Sequence, residues 1–162
     1  MKRVGIVMGS DSDLPVIQKA TNLLKELEIP FEVHVFSAHR TPEQARQFSV
    51  DARKNGFGVL IAAAGMAAHL AGAIAANTTL PVIGIPCKGP VLDGLDALLS
   101  TVQMPSGIPV ATVGVNNGAN AALLAAEILA VEDAALAERL HRKREADTAA
   151  VLQKDAGIAE RL

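Results

Sequence analysis

Apolar runs of strand length alternate with segments of helical periodicity along most of this 162-residue chain. The runs predict β-strands over 3–8, 31–36, 57–62, 81–85 and 110–115. Strands that alternate with helices at this spacing are joined by right-handed crossovers into a parallel sheet, which helices cover on both faces. We therefore predict an α/β fold: a three-layer sandwich around a doubly wound, flavodoxin-like parallel sheet, with an additional C-terminal helix.

The predicted helices have recognisable start and stop signals. Asp11 or Ser12 can cap the first helix, and Pro15 lies in its first turn. The pair 41–42, Thr-Pro, begins the second helix by the same logic. Further helices are predicted up to about residue 77, over 92–102, over the alanine-rich stretch 119–137, and over 140–162. We interpret residues 1–162 as a single domain, with the sheet region over about 3–131 and a helical extension over about 132–162.

The composition argues against nucleic acid and membrane partners. A formal net charge of −2 gives no broad positive field, and the absence of Tyr and Trp removes stacking platforms for bases. The most apolar stretch, 59–76, is interrupted by Gly65, His69 and Gly72, so we interpret it as a strand followed by a helix. The alanine-rich helix over 119–137 suggests subunit contact, and we expect a homo-oligomer.

A single cysteine, Cys87, limits the redox and metal chemistry of the chain. It excludes an internal disulfide and a multi-cysteine zinc site, and it makes the cytoplasm the default compartment. Metal binding by His39 and His69 would need further ligands, for which only Cys87 or the pair Asp11 and Asp13 is available. We therefore expect no metal, and we interpret Cys87 as a small apolar side chain of the core.

Two polar segments, 8–13 (Met-Gly-Ser-Asp-Ser-Asp) and 37–42 (Ser-Ala-His-Arg-Thr-Pro), each follow a predicted strand and open a predicted helix. The carboxyl ends of parallel strands line the crevice where ligands bind, and helix amides there favour anions. Ser10 and Ser12 can hold a phosphate and Asp13 can accept hydrogen bonds from ribose hydroxyls. The alternative is that this segment is only a capped loop.

The adjacent pair His39 and Arg40 is the sharper signal for chemistry. Arg40 suits a phosphate, and an imidazole with an unperturbed pKa near ~6.5 can donate and accept a proton around neutrality. His69 follows the third strand in a turn of small residues, where the backbone can close over a planar ligand. A structural role remains the alternative for both histidines. His34, inside a strand, and His141, on a charged helix, are not expected to join them.

Four motifs in order resemble one family. They are 8–13; 37–42; 65–70, Gly-Met-Ala-Ala-His-Leu; and 103–112, Gln-Met-Pro-Ser-Gly-Ile-Pro-Val-Ala-Thr. Together they resemble the N5-carboxyaminoimidazole ribonucleotide mutases of purine biosynthesis, over residues 4 to about 129. The resemblance implies a homo-octamer with active sites between subunits, no metal or organic cofactor, and transfer of a carboxyl group from the exocyclic nitrogen of an aminoimidazole ribonucleotide to ring carbon C4.

The resemblance also implies roles for individual residues. His39 would be the general acid and base, and His69 would complete the catalytic pocket. Twelve further positions of the first three motifs would bind the ribonucleotide: Ser10, Asp11, Ser12, Asp13, Ser37, Ala38, Arg40, Gly65, Met66, Ala67, Ala68 and Leu70.

The chain departs from the family pattern beside these motifs. Met66 and Ala71 replace a glycine and a proline, the segment 87–90 (Cys-Lys-Gly-Pro) is atypical, and the turn at 116–118 is shorter. Two alternatives stay open: an aminoimidazole ribonucleotide carboxylase that uses CO₂, and a non-catalytic nucleotide-binding domain. The related carboxylases typically carry Lys where Arg40 stands and lack the pair Ala68 and His69, which favours the mutase.

Overall fold

The computed structural model describes residues 1–161 and contains a parallel sheet of five strands in the order β2-β1-β3-β4-β5. The strands are β1 (Arg3–Met8), β2 (Phe31–Val35), β3 (Phe57–Gly65), β4 (Val82–Cys87) and β5 (Ala111–Thr112). Every neighbouring pair is parallel. The α/β class and the flavodoxin-like strand order are therefore confirmed.

Six α-helices connect and follow the strands. They are α1 (Leu14–Glu26), α2 (Pro42–Asp51), α3 (Leu70–Ala75), α4 (Leu95–Val102), α5 (Gly118–Ala130) and α6 (Ala134–Ala156). Single 3₁₀ turns precede α1 at Asp11–Asp13 and follow α6 at Ala159–Arg161. No helix within residues 1–161 combines the length and the apolarity needed to cross a bilayer.

Alternating side chains of the sheet divide the core into two layers. Val4 and Ile6 of β1 pack with α1, α5 and the start of α6, whereas Val7 packs with α2 and α3. The first layer is built around small residues of α5, which are fully buried inside the protomer: Ala121, Ala122, Ala125 and Ala126. The alanines that suggested subunit contact are thus covered by the protein's own α1, sheet and α6.

Several element boundaries differ from the predictions. β3 and β4 extend further than predicted, to Gly65 and Cys87, whereas β5 keeps only two residues. The predicted continuous helix over 119–137 is wrong, because α5 ends at Ala130 and α6 begins at Ala134. Asp133 causes the break: its carboxylate accepts a hydrogen bond from the backbone N–H of Leu136 at 2.9 Å and caps α6.

The predicted cap of the first helix is also wrong. Ser10, and not Asp11 or Ser12, caps the 3₁₀ turn, accepting from the Ser12 amide at 3.3 Å. Asp13 is the N-cap residue of α1, but its carboxylate makes no capping hydrogen bond. That carboxyl group lies instead beside the thiol of Cys87 at the end of β4.

The strand order places a crevice between β1 and β3. The chain leaves β1 into α1 on one face of the sheet, and it leaves the adjacent β3 into α3 on the other face. Loops that depart to opposite sides of neighbouring strands leave an opening between them, which is where ligands bind in such sheets. The polar turns after β1, β2, β3 and β4 surround this opening.

Candidate active site

A cleft of about 610 Å³ lies at the carboxyl edge of the sheet. Its walls come from the turns that follow β1, β2, β3 and β4, and they include Ser10, Asp13, His39, Arg40 and His69. The volume is within the range of small-molecule sites. The residues predicted from separate motifs are therefore brought into one cavity.

Two imidazole rings are in direct contact in this cleft. His39 Nε2 lies 2.7 Å from His69 Nδ1, and the ring planes are nearly perpendicular, at 86°. One nitrogen of this contact must carry hydrogen and the other must accept it, so the two rings share a proton between them. Such a pair can deliver a proton to a bound molecule and take one back.

The turn after β2 is fixed by hydrogen bonds within the motif. The hydroxyl of Ser37 accepts from the amides of His39 at 3.3 Å and Arg40 at 3.1 Å. The amide of Ser37 donates to the hydroxyl of Thr41 at 2.8 Å, immediately before α2 begins at Pro42. These bonds hold the backbone that carries the imidazole and the guanidinium.

The guanidinium of Arg40 reaches across to the turn after β1. Its Nη2 donates to the backbone carbonyl of Gly9 at 2.9 Å. Among residues 1–161 the Arg40 side chain makes this hydrogen bond, which engages one of the five N–H donors of the guanidinium. The remaining donors and the positive charge are available to an anion beside Ser10 and Ser12.

Asp13 and Cys87 form a second, less exposed pair on the other side of the cleft. Burial raises the pKa of the Asp13 carboxyl above its usual range, and a hydrogen bond with the Cys87 thiol partly offsets the increase. The thiol is itself buried, and burial together with the negative charge of Asp13 raises its pKa to about 12. The Cys87 thiol, which donates to the backbone carbonyl of Ile85 at 3.7 Å, is thus a neutral neighbour of Asp13 as well as a core side chain.

The turn after β3 depends on an unusual backbone conformation. Met66 has φ of 55°, in the left-handed region that favours glycine, and its side chain is 58% exposed. The turn reverses the chain within a few residues, so that His69 lies directly before α3. The left-handed conformation agrees with the glycine that the family pattern has at this position.

Most predicted site residues line the cleft, but two do not. The lining includes Ser10, Ser12, Asp13, Ser37, Ala38, His39, Arg40, Gly65, Met66, Ala67, His69 and Leu70. Asp11 is exposed and lies outside the lining, because its side chain is on the outer side of the 3₁₀ turn, beside the hydroxyl of Ser10. Ala68 is 1% exposed and packs into the protein beneath the turn.

Besides Gly9 and Ala64, which adjoin predicted positions, three further lining residues were not among the predicted ligands: Lys88, Gly89 and Pro90. They follow β4, whose predicted end at residue 85 hid the fact that this turn reaches the same edge of the sheet. The sequence feature that could have identified these three residues was the atypical segment 87–90. His34 and His141 lie outside the cleft, as predicted: the first bonds Glu32 at 2.6 Å and the second pairs with Glu145 at 3.3 Å.

A larger cavity, of about 950 Å³, lies at the amino ends of β4 and β5. Arg53 is its one ionisable lining residue, and its guanidinium donates to the hydroxyl of Thr79 at 3.1 Å. A cavity without an acid or a base beside this arginine offers little for proton transfer. The smaller cleft, which holds the histidine pair, is therefore the candidate active site.

Comparison with known protein families supports this assignment. A family model described as AIR carboxylase matches residues 3–150 of the chain. The chain belongs to the AIR carboxylase family. The match covers the whole sheet and all four turns of the cleft.

Individual relatives within the family carry more specific names. The chain is 54% identical to the N5-carboxyaminoimidazole ribonucleotide mutase of Pyrococcus abyssi over 145 residues, which are 90% of this chain and 83% of that protein. It is 53% identical to the Haemophilus influenzae protein of the same name over 152 residues, 93% of each chain. The resemblance to this group of mutases is confirmed.

Other relatives are longer proteins or solved structures. The chain is 58% identical over 130 residues to the phosphoribosylaminoimidazole carboxylase of Ogataea methanolica, covering 80% of this chain but 24% of that protein. The crystal structure of Treponema denticola PurE superimposes with a TM-score of 0.83 and 29% identity, over 94% of this chain and 96% of that chain. These matches confirm the fold independently of the strand predictions.

Proposed function

We propose that this protein is an N5-carboxyaminoimidazole ribonucleotide mutase of purine biosynthesis, converting its substrate to 4-carboxy-5-aminoimidazole ribonucleotide. The observation that carries the proposal is the hydrogen-bonded pair His39 and His69, in one cleft with Arg40 and Asp13. An acid/base pair beside the positive guanidinium of Arg40 suits a reaction that moves protons on an anionic nucleotide. The names and identities of the mutase relatives support the same reaction.

The reaction is an isomerisation in two halves. In the first, the bond between N5 and the carboxyl carbon breaks, CO₂ departs, and the electron pair left on N5 takes a proton from His39. In the second, C4 attacks the carbon of CO₂ and a new C–C bond forms. The proton on C4 then passes to the neutral imidazole, so that His39 ends in the state in which it began.

His69 has a proposed role between the two halves. Because its Nδ1 lies 2.7 Å from His39 Nε2, it can take or return the hydrogen that the pair shares. The pair then keeps His39 in the correct tautomer between the reaction at N5 and the reaction at C4. The small lining residues Gly65, Ala67 and Ala64 leave room for CO₂ close to the aminoimidazole.

Binding of the nucleotide is assigned to the turns after β1 and β2. Arg40 and the hydroxyls of Ser10 and Ser12 suit the phosphate, because they combine positive charge with hydrogen-bond donors. Asp13 suits the ribose hydroxyls. Its carboxyl group lines the cleft, half-buried, beside Cys87.

The direct test of His39 replaces it with asparagine. His39→Asn keeps a hydrogen-bonding side chain but removes the group that transfers protons, so we expect turnover to fall by at least ~10² while nucleotide affinity changes little. His141→Asn is the matched control, because that histidine lies on the outer surface of α6. Unchanged turnover of His39→Asn would contradict the acid/base role, and persistent binding without any turnover in the wild type would indicate a non-catalytic nucleotide-binding domain.

A second experiment distinguishes a mutase from a carboxylase. The relative from Ogataea methanolica is named a carboxylase. Purified protein is offered either the N-carboxylated nucleotide or the uncarboxylated nucleotide with bicarbonate. We expect rapid formation of the C4-carboxylated product from the first substrate. Faster formation from the second would assign the protein as a carboxylase.

Homo-octamer assembly and a cytoplasmic location are further proposals. The cytoplasmic location is supported by the single cysteine, which leaves no internal disulfide. The assembly is supported by exposed apolar side chains on and beside α4, at a spacing that puts them on one face: Val91, Leu92, Leu95, Leu99 and Val102. The segment lies next to the cleft wall formed by Lys88 and Pro90, so a neighbouring subunit seated there would border the active site. Analytical ultracentrifugation should give the mass of eight chains, and a compact monomer would contradict the proposal.

A further inference from the structure

The turn after β4 places a positive charge in the cleft that the proposed mechanism does not use. Lys88 lines the cleft, and its ammonium group lies 2.6 Å from Asp93 Oδ1. Both side chains are largely exposed, at 59% and 76%. Exposed ion pairs contribute little to stability, so Lys88 can exchange this partner for an anion at small cost.

The backbone of Lys88, in contrast, is held on several sides. Its amide donates to the side-chain carbonyl of Asn116 at 2.9 Å, and the Asn116 amide donates to the carbonyl of Pro86, also at 2.9 Å. Gly94, with φ of 98°, packs so closely that a Cβ there would lie 3.3 Å from Lys88 Cα. The base of the side chain is therefore fixed, and only its flexible end is free to change partners.

Lys88 and Arg40 lie on opposite sides of the cleft. Arg40 follows β2 and Lys88 follows β4, and the sheet order puts β1 and β3 between them. Three strand spacings put the ends of β2 and β4 about 14 Å apart. The extended side chains of Arg40 and Lys88 reach into this gap and leave the span of a mononucleotide between their charged ends. The substrate of the proposed reaction has an anion at each end: a phosphate, and a carboxylate on the aminoimidazole.

We infer that Lys88 binds the carboxylate of the aminoimidazole nucleotide, releasing Asp93 as it does so, while Arg40 binds the phosphate at the other end. This inference rests on the proposed function. It makes Lys88 a specificity-determining residue, which recognises the carboxylated nucleotide and has no partner in the uncarboxylated one. Asp93 holds the ammonium group until the nucleotide binds.

The test compares two nucleotides that differ only in the carboxylate. Binding of 4-carboxy-5-aminoimidazole ribonucleotide and of 5-aminoimidazole ribonucleotide is measured by calorimetry, for the wild type and for Lys88→Met. We expect the Kd of the carboxylated nucleotide to rise about tenfold, as for loss of a charge-assisted hydrogen bond, while the Kd of the uncarboxylated one changes by less than about twofold. Equal changes for both, or no change, would overturn the inference.

Two further variants separate recognition from a purely structural role. Lys88→Arg keeps the charge and should restore binding of the carboxylated nucleotide to within about threefold of the wild type. Asp93→Asn removes the competing carboxylate and should tighten binding of the same nucleotide by up to about fivefold. Weaker binding in Asp93→Asn would show that the ion pair shapes the loop and would overturn the exchange of partners.

The inference and the proposed function fail in different ways. A wild-type protein that turns over the N-carboxylated nucleotide, but whose Lys88→Met variant binds both nucleotides as before, contradicts only the role of Lys88. A wild-type protein that neither turns over nor binds either nucleotide contradicts the proposed function itself.

Discussion

The contact between α1 and α5 is tight enough that one added methyl group should weaken the fold. Gly118 begins α5 and packs directly on the backbone of α1. A Cβ at this position would lie 2.1 Å from the carbonyl oxygen of Val16, whereas real Cβ atoms stay beyond 3.0 Å. The obstacle is backbone, so no side-chain rotation relieves it, and Gly118→Ala must move one helix relative to the other.

The size of that movement sets the expected cost. The two helices must separate by at least about 0.9 Å near Gly118, and a gap of 0.5–1 Å forfeits a quarter to a half of the dispersion energy across a contact. The contact includes fully buried Ala20, Ala121 and Ala122. We expect a loss of about 2–3 kcal/mol in the free energy of unfolding, at the upper end of typical overpacking. The corresponding fall in Tm is about 4–12 °C.

The assay is urea denaturation followed by far-ultraviolet circular dichroism, at equal protein concentrations because an oligomer's stability depends on concentration. Gly114→Ala is the matched control: its Cβ would lie 3.8 Å from the nearest atom, in ordinary van der Waals contact. We expect that control to stay within about 0.5 kcal/mol of the wild type. Equal midpoints for Gly118→Ala and the wild type would refute the close approach of α1 and α5.

Two further predictions concern the pair Asp13 and Cys87. At pH 8 a disulfide reagent should modify Cys87 about three orders of magnitude more slowly in the folded protein than in the unfolded chain. The reason is that the pKa of the thiol is raised to about 12 in the folded protein, from ~8.5 in a free cysteine. Equal rates would contradict the burial of Cys87. Burial raises the pKa of Asp13 in the folded protein, so the free energy of unfolding falls as the pH rises from the ordinary value of 3.8 to that raised pKa. Asp13→Asn should therefore stabilise the protein near pH 7 in urea titrations, because asparagine carries no charge to desolvate. That gain should vanish below pH 3.8, and a pH-independent gain would contradict the cause.

The sheet and its polar edge were predictable because both depend on local patterns. Continuous apolar runs mark strands buried on two faces, and each run here ends in residues that favour turns. Parallel strands have their carboxyl ends at one edge, so Ser10, His39 and His69 had to lie near each other once the strands were known. The contact between the two imidazoles, however, depends on how α2 and α3 pack, which the sequence pattern does not contain.

The element boundaries that were predicted wrongly depend on contacts between residues distant in sequence, or on one helix cap that was overlooked. Val131 and Glu132 continue the helical pattern of α5, and only the capping carboxylate of Asp133 ends it. That signal was present in the sequence and was missed. Cys87 is different: its side chain meets Asp13 because β1 and β4 flank β3 in register, and nothing local to either residue indicates this.

The two sides of the cleft are supported by different layers of the protein. Asp13 leads into α1, which packs in the layer of α5, whereas His39 and His69 lead into α2 and α3 on the opposite face of the sheet. The methyl group of Gly118→Ala pushes on Val16, three residues after Asp13, and leaves α2 and α3 untouched. If Asp13 binds the ribose and the histidines transfer protons, this variant should raise KM several-fold more than it lowers kcat. A fall in kcat with unchanged KM would place the proton chemistry, and not nucleotide binding, on the α1 side of the cleft.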